Sequence, residues 1–496
     1  MTNKWLVLSL IIAMYLPVSI DATVLHVAAP TLSMELNASN NELLWIIDIY
    51  SLVMACFLLP MGVLGDRIGF KRLALMGSAI FCVASLFAAI SINVMSLILS
   101  RAFLALGAAM ILPATLSALR HTFADEKQRA IALGVWAAVG TGGAAMGPLV
   151  GGALMEYYHW GMVFAINVPL CLLVIIATLT LPYQVKIDRS KKLPIVDSIF
   201  LIVAILLSIF SIKTGFSEGF NYVKTAMLFS GIFMIVMFFK YQAKTNSPMI
   251  DVLLFKNKVI IAGIIMALTA MISLVGFELL ISQELQLVFG KTPLQAGLFL
   301  LPLMIASSVC GPIAGWLVSF IGLRQVATGG LLLSAVSFIG MAMTDFNSQV
   351  YMAWAFMILL GFSVEASLLS STAAIMNAVP KEKAGAAGAI EGMAYELGAG
   401  IGIVAFGLMM SYSYMNALSS TIEPSSIDFE KTKGSLSQAM QYINSLTPMH
   451  GEQLFSKAKT AFLASHTLVL SLAALILFLL AGLIYRLLSI KSADIK

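Results

Sequence analysis

Long apolar runs separated by short polar stretches make up the hydrophobic pattern of this chain. Runs such as "LVLSLIIAMYLPVSI" are apolar on every side, whereas a strand of a membrane barrel alternates apolar and polar residues. A hydrocarbon core about 30 Å thick is crossed by about 20 apolar residues in a helix. The pattern therefore predicts an all-α membrane protein, a bundle of fourteen transmembrane helices near residues 5–27, 43–65, 73–94, 97–119, 129–153, 162–183, 195–214, 224–242, 257–281, 295–318, 325–344, 350–372, 384–409 and 467–488.

An internal repeat divides these helices into two halves. The segment "GVLGDRIGFKR" (62–72) matches "GWLVSFIGLRQ" (315–325), which places Gly62 over Gly315 and Gly69 over Gly322. Such repeats are typical of secondary transporters, in which one half rocks against the other around a central site. We expect a six-helix half at 1–185, two inserted helices (7 and 8) at 186–250, and a second six-helix half at 251–496. A long extracytoplasmic loop at 410–466 is interpreted as a solvated insertion, with an outer cap as the alternative.

Composition and charge agree with a polytopic membrane protein. The 496 residues are 60% hydrophobic and 11% charged, with a formal net charge of +5. The positive residues lie in short loops, so they indicate topology rather than a nucleic-acid partner. Their bias towards the end that carries the N-terminus predicts that both termini are cytoplasmic, in a multi-pass protein of the cell (inner) membrane. The four cysteines have no metal-ligand spacing, and we expect a monomer without metal or cofactor.

Ionisable residues inside the predicted spans are the candidate functional groups. Each costs at least about 2.5 kcal/mol at the bilayer centre, so such residues are usually functional. Three of them lie in the outer half of their helices, where they could form one cluster, and four others lie on later helices. The proton- or substrate-binding candidates are Asp21, Asp48, Arg101, Glu278, Glu365, Glu391 and Glu396.

The sign of these groups favours a cationic substrate. Burial disfavours the charged form of a carboxyl group, so an acid that releases a cation can take up a proton in its place. This competition is antiport in its simplest form. We rank Asp21, Glu396 and Asp48 first, with Arg101 as the partner that tunes one of them. Glu391 lies on the same helix face as Gly398 and has packing as an equal alternative.

Five motifs carry a family resemblance. "GVLGDRIGFKR" resembles the loop between helices 2 and 3 of the major facilitator superfamily, and "GGAAMGPLVGG" (142–152) is similar to the helix-5 motif of its drug:proton antiporters. "IDATVLHVAAP" (20–30), "WIIDIYSLVMA" (45–55) and "FAINVP" (164–169) resemble the fourteen-helix branch, specifically exporters of the QacA and SmvA type. One departure is that Leu104 and Ala105 stand where the helix-4 motif usually has Gln and Gly.

The resemblance assigns roles to two of the motifs. It implies that the stripe of glycines in helix 5 seals the two halves against ion leak, and that Asp66 contacts the helix that begins near Ala384 and favours the outward-open shape. On this basis the gating loop comprises Gly62, Asp66, Arg67, Gly69 and Arg72. The antiporter motif comprises Gly143, Gly147, Pro148, Gly151 and Gly152.

The predicted function is proton-coupled export of lipophilic mono- and dications, such as quaternary ammonium compounds, dyes, viologens and biguanide-like biocides. The driving force is the proton gradient, and the other partners are protons and the lipid bilayer. Export of tetracycline-like or other amphiphilic compounds is the alternative within the family. A membrane enzyme of lipid or polysaccharide metabolism is disfavoured because no zinc-protease, nucleophile-elbow or phosphate-loop motif occurs. A non-transporting sensor would need a soluble domain, which the sequence does not predict.

Overall fold

The computed structural model describes residues 4–123, 125–180, 195–245, 248, 252–379 and 384–489, and every regular element in these ranges is helical. Within them the side chains of a few helical residues, Asp66 among them, lie outside the described part. The all-α fold predicted from the apolar runs is therefore confirmed. The elements are helical because each backbone polar group in lipid must be satisfied inside its own segment, and they are long because a hydrocarbon core of about 30 Å takes about 20 residues to cross.

The N-terminal part of the bundle and the inserted pair contain nine helices within the described ranges. The sixth predicted span is broken at Ile166 into two consecutive helices. The bounds are α1 (Lys4–Glu35), α2 (Asn40–Ile68), α3 (Phe70–Ala89), α4 (Val94–Thr122), α5 (Glu126–Tyr157), α6 (Met162–Ala165), α7 (Asn167–Thr180), α8 (Ile195–Glu218) and α9 (Tyr222–Gln242).

The C-terminal part begins with a short 3₁₀ turn at Val252–Lys256. Its first long helix ends in one π turn, Glu284–Val288. The bounds are α10 (Lys258–Gln283), α11 (Pro293–Ile321), α12 (Leu323–Ala342), α13 (Val350–Asn377), α14 (Ala384–Ser419), α15 (Ile427–Thr432), α16 (Leu436–Ile443) and α17 (Pro448–Leu487).

Length and hydropathy mark 13 candidate membrane spans among the described residues, with α6 and α7 counted as one. The remaining long helix, α5, has 32 residues and lies against both α1 and α11. Its glycines and polar residues lower its hydropathy, although at about 1.5 Å per residue it is long enough to cross a bilayer. With α5 included, the bundle agrees with the predicted fourteen.

The predicted long loop at 410–466 is wrong in its bounds. Helix α14 continues to Ser419 and α17 already begins at Pro448. At about 1.5 Å per residue, both helices are longer than a hydrocarbon core of about 30 Å requires. The early part of α17 is amphipathic and buries Leu454, Ala458 and Phe462, and its polar face hides this stripe from an apolar window. The segment between the two helices contains α15 and α16 and packs on the bundle, because Gln441 Nε2 donates to the carbonyl of Ser33 at 3.0 Å. It is a cap rather than a solvated insertion.

The two ends of the bundle carry different elements. The "loop end" bears α15 and α16, and the "terminus end" bears Lys4 and Leu487. The N-terminal half (α1–α7) and the C-terminal half (α10–α17) meet along two main seams, α2 against α14 and α5 against α11, and α1 also contacts α10. The inserted hairpin α8–α9 lies beside the first seam, since α8 contacts both α2 and α14.

The repeated glycines adopt the same backbone conformation. Gly69 joins α2 to α3 with φ 89° and ψ 142°, and Gly322 joins α11 to α12 with φ 91° and ψ 154°. Positive φ is readily accessible only to glycine. The match of the two segments in the sequence thus corresponds to the same sharp turn in each half.

Candidate functional site

A buried ion pair joins α1 to α4 in the N-terminal half. Arg101 Nη1 lies 2.5 Å from Asp21 Oδ2, and Asn167 Nδ2 donates to Asp21 Oδ1 at 3.4 Å. The guanidinium carbon lies 4.4 Å from the centroid of the Tyr50 ring, and Arg101 Nε donates to the carbonyl of Ile46 at 3.4 Å. Arg101 is 0% exposed and Asp21 1%. The aromatic face and the carboxylate together compensate for the loss of water around the arginine.

Asp48 lies outside this pair and has a different partner. Lys213 Nζ of α8 lies 2.9 Å from Asp48 Oδ2, and both side chains are 0% exposed. The expected cluster of three outer-half charges is thus divided into two pairs, with Asp21 bound to Arg101 and Asp48 bound to Lys213. Sequence reasoning missed Lys213 because it lies one residue from the end of the predicted span at 214, where a lysine is expected to reach the membrane interface.

Glu396 lies at the seam between the halves. Its carboxyl group in α14 lies near the Ser51 side chain of α2, and near Tyr15 and Tyr50 of the N-terminal half. Tyr15 in turn stacks on Trp136, with ring centroids 4.5 Å apart. Within the described residues, Glu396 has no basic partner. An acid surrounded by hydroxyl groups and aromatic rings can accept either a proton or an organic cation.

Two further acids of the C-terminal half, Glu391 and Glu365, lie near the same tyrosine, Tyr395. Glu391 Oε1 accepts from Thr372 Oγ1 at 2.5 Å and from the Tyr395 hydroxyl at 2.6 Å. Glu365 of α13 lies near the side chains of Ser307 and Tyr395. As with Glu396, no basic side chain among those described faces either acid.

Glu278 pairs across the two halves near the loop end. Its Oε2 lies 2.7 Å from Nδ1 of His26 in α1, and both side chains are buried. Next to it, Gln286 Nε2 donates to the carbonyl of Val27 at 2.8 Å. With the Gln441 to Ser33 bond, these contacts close the loop end of the bundle.

A second buried imidazole lies nearby in the C-terminal half. His466 of α17 pairs with Glu284 at the start of the π turn. The sequence carried only a weak signal for either histidine pair, since the partners are 252 residues apart for His26 and Glu278. Single polar residues on long apolar helices indicated that partners exist but did not identify them.

The glycine stripe of α5 contacts a helix of its own half, so the expected seal between the halves is wrong for Gly143, Gly147 and Gly151. A Cβ atom at Gly147 would lie 2.9 Å from the carbonyl oxygen of Ile20, and one at Gly151 would lie 3.0 Å from that of Val24. Glycines spaced by four form one helix face, and here that face meets α1.

A different face of α5 reaches the other half. A Cβ atom at Gly152 would lie 2.6 Å from the Pro293 carbonyl oxygen of α11, and one at Gly297 would lie equally close to that of Pro148. The C-terminal half contains a similar close approach of two helices, α14 and α10. Cβ atoms at Gly398 and Gly402 would each lie 2.8 Å from a carbonyl oxygen of α10. The close contact of α5 with the other half therefore involves Gly152 and Pro148 rather than the stripe.

The gating loop is described only in part. Gly69 forms the turn between α2 and α3, Gly62, Arg67 and Arg72 lie in the helices on either side of it, and Arg72 is exposed. The expected contact between Asp66 and the start of α14 lies outside the described residues, as do the basic residues at 191, 192, 381, 383 and 491. Among the side chains that are described, His, Cys, Asp and Glu do not gather in groups that could hold a metal ion.

Comparison with known proteins identifies the family. The sequence profile of the Major Facilitator Superfamily matches residues 11–402. The chain is 53% identical over 482 residues to the methyl viologen resistance protein SmvA of Salmonella typhimurium, covering 97% of each chain. It is 33% identical to the multidrug efflux pump LfrA of Mycolicibacterium smegmatis, covering 93% of this chain and 92% of that one.

Solved structures agree at the level of fold. A bacterial homologue of the human lysosomal transporter Spinster superimposes with a TM-score of 0.70 at 17% identity, covering 98% of this chain and 97% of that chain. Since the family profile spans most of the bundle and the related sequences span nearly its whole length, the chain belongs to the Major Facilitator Superfamily and is a membrane transporter rather than an enzyme.

Proposed function

We propose that this transporter exports lipophilic mono- and dications, including quaternary ammonium compounds, dyes, viologens and biguanide-like biocides, in exchange for protons. The relatives named for methyl viologen resistance and for multidrug efflux support this substrate class. The proton gradient supplies the energy, and the transporter acts as a monomer. The other partners are lipid and the transported cation.

Glu396 is the observation that carries the proposal. It is a partly buried acid at the seam between two halves that rock against each other, with hydroxyl and aromatic neighbours and no described basic partner. Each half supplies part of this environment, because Ser51 and the two tyrosines belong to the N-terminal half. Rocking of the halves therefore changes which end of the bundle the carboxyl group faces.

Exchange follows from competition for one carboxylate. The ionised group binds the organic cation from the terminus end, and protonation from the loop end displaces it. Moving one charge against the membrane potential costs about 2.3 kcal/mol per 100 mV, so export of a dication without electrical cost requires two incoming protons. Glu365 is the second carrier by the same criteria, and Glu391 with Tyr395 and Thr372 lies beside it. Asp21, held by Arg101, supports the N-terminal side of the proposed cation-binding region.

The proposed orientation places both termini in the cytoplasm and the loop end outside the cell (inner) membrane. It predicts that a cysteine at the exposed Ser425 reacts with a membrane-impermeant maleimide in intact cells, whereas one at the exposed Gln325 reacts only after permeabilisation. The opposite labelling pattern would reverse the orientation and with it the direction of export.

Transport is tested in everted vesicles with an acidic interior. Addition of methyl viologen or ethidium to vesicles that contain the wild-type protein is expected to collapse the pH gradient. The reason is that each cation entering the vesicle is exchanged for protons that leave its interior. Glu396→Gln should abolish this response at an unchanged amount of protein in the membrane. The exposed Glu423→Gln is the matched control and should behave as wild type. Absence of a response to any cation in the wild type, or full activity of Glu396→Gln, would contradict the proposal.

A further inference from the structure

The ammonium group of Lys213 occupies a site built by two residues of α2. Its Nζ lies 2.9 Å from Asp48 Oδ2 and 3.7 Å from the centroid of the Trp45 ring. One ring further along, Trp45 contacts Phe210, with centroids 6.0 Å apart. Trp45 and Asp48 are three residues apart in α2, as are Phe210 and Lys213 in α8. Residues at this spacing share a helix face, so the two helices meet through matching rows of side chains.

This contact is a buried polar attachment of the inserted hairpin to the rest of the bundle. Much of α9 is exposed on the outside of the bundle, with Tyr222, Phe229 and Phe233 more than half exposed. At the loop end the hairpin is fixed internally, since Lys224 Nζ donates to the carbonyls of Thr214 and Gly219 at 3.0 Å each. The loop end of the hairpin is thus held together by its own hydrogen bonds and contacts α2 through the Lys213 ammonium.

The surroundings of Asp48 differ from those expected of a carrier acid. A carrier must exchange its partner in every cycle, as Glu396 can because its described partners are neutral. Asp48 instead faces a cation of the same chain, which is always present at a high effective concentration. Separating the two inside the membrane would leave two isolated charges in a medium of low dielectric constant.

We propose that Lys213 is a positioning residue. It fastens the hairpin α8–α9 to the N-terminal half through Asp48 and Trp45, and this attachment stays closed throughout the transport cycle. Ser51, the described partner of Glu396, lies three residues after Asp48 on α2. Fixing the rotation of α2 at Asp48 therefore holds the Ser51 side chain towards Glu396. This inference rests on the proposed function only in that its readout is proton-coupled cation export.

The attachment determines how the hairpin moves. Helix α8 also contacts α14 of the C-terminal half, but no ion pair between α8 and α14 is present among the described side chains. When the halves rock, the hairpin moves with α2, and the apolar contact with α14 slides.

A double-mutant cycle tests this role. Lys213→Met and Asp48→Asn each leave one buried charge alone, and we expect each to reduce the amount of folded protein in the membrane and the gradient collapse driven by methyl viologen at least fivefold. The double variant Asp48→Asn/Lys213→Met contains neither charge. It should recover at least half of both quantities, with the wild-type dependence of transport on pH. A double variant present at the wild-type amount but inactive would make Asp48 a carrier and overturn the proposal.

If the double variant fails to fold, a cross-link between α2 and α8 tests whether the two helices stay together during transport. With the four native cysteines (Cys56, Cys82, Cys171 and Cys310) replaced, Trp45→Cys/Phe210→Cys is bridged by a short thiol-reactive linker. Transport should continue at the level of the unbridged variant, because α2 and α8 move together. The control Leu44→Cys/Gly407→Cys bridges α2 to α14, which are in contact across the seam, and should stop transport until the link is reduced.

The outcomes separate this inference from the proposed function. Loss of transport when the Trp45→Cys/Phe210→Cys variant is bridged, restored by reduction of the link, would show that Lys213 leaves Asp48 during the cycle. That result would overturn the inference about Lys213 while the wild type still collapses the pH gradient. Failure of the proposed function would instead appear in the wild type, as the absence of gradient collapse with any cation.

Discussion

Inside this bundle, the environment of each charged side chain indicates what it can do. Asp21 and Asp48 face the basic side chains Arg101 and Lys213, whereas Glu396 and Glu365 face hydroxyl groups. A charge in a permanent pair is stabilised where it stands, and removal of one partner leaves the other uncompensated. In the proposed exchange, the acids that have no basic partner among the described side chains are the ones that alternate between a proton and a cation.

The Asp21–Arg101 pair gives a prediction at this scale. Asp21→Asn leaves Arg101 buried without its carboxylate, so we expect a loss of about 3 kcal/mol or more in the free energy of unfolding. Arg101→Met should cost a similar amount, and the double variant should recover much of the loss. Thermal unfolding in detergent measures all three. If the loss in the double variant equalled the sum of the two single losses, the two groups would not interact.

The pH dependence of binding tests Glu396. In the proposed exchange, protons and cations compete for its carboxylate, so apparent affinity for ethidium should rise as the pH increases and fall as it decreases. In Glu396→Gln no proton competes at this position, and the remaining affinity should be weaker and change less with pH. Fluorescence titration of purified protein between pH 5 and pH 9 measures this. An unchanged pH profile in the variant would exclude Glu396 as the shared site.

At the scale of helices, α5 serves two contacts through two different faces. Gly143, Gly147 and Gly151 allow the backbone of α1 to approach, and Gly152 with Pro148 allows that of α11. In lipid no hydrophobic force drives helices together, so such close approach and the polar contacts it permits hold them. The first contact lies within one half and the second lies between halves, so substitutions on the two faces should have different effects.

Two identical substitutions on α5 separate packing from helix propensity. A Cβ at Gly147 would lie 2.9 Å from the Ile20 carbonyl oxygen and 3.0 Å from the Val24 nitrogen, whereas one at Gly142 meets nothing within 4 Å. We expect Gly147→Ala to lower the free energy of unfolding by roughly 1–3 kcal/mol, and Gly142→Ala to have little effect. Melting temperatures in detergent compare them. Equal stability of the two variants would contradict close packing of α1 on α5.

At the scale of the whole molecule, this conformation is closed at the loop end. The bonds from His26 to Glu278, from Gln286 to Val27 and from Gln441 to Ser33 all join the two halves there. Each must break when the halves separate at that end. The closed state is thus stabilised by buried polar contacts that water replaces on opening.

Removal of the His26 contact should shift the balance towards opening. His26→Ala leaves Glu278 buried without its partner, which disfavours the closed state. Spin labels at the exposed loop-end positions Ile92 and Met343, one in each half, should show a larger fraction of long distances in His26→Ala than in the wild type. An unchanged distance distribution would show that the pair does not stabilise closure.

The sequence predicted the helices well and their partners less well. Apolar runs and the repeated Gly69 and Gly322 segments depend on local chemistry, and local patterns define helices in lipid. The choice of Lys213 for Asp48, or of His26 for Glu278, depends on tertiary packing between helices far apart in the sequence, which has no local signature. The amphipathic start of α17 was hidden for a related reason, since its buried stripe is diluted by a polar face.

The inserted hairpin makes the two sides of the transporter unequal. Of the two seams, α8 adjoins the one between α2 and α14, while in the described residues α5 and α11 have no such neighbour. A hydrophobic molecule dissolved in the bilayer therefore finds the α2–α14 seam flanked by the hairpin and the α5–α11 seam without an inserted helix beside it. Seen from the lipid, the bundle is therefore asymmetric: a compound in the bilayer reaches the α5–α11 seam without first crossing the hairpin.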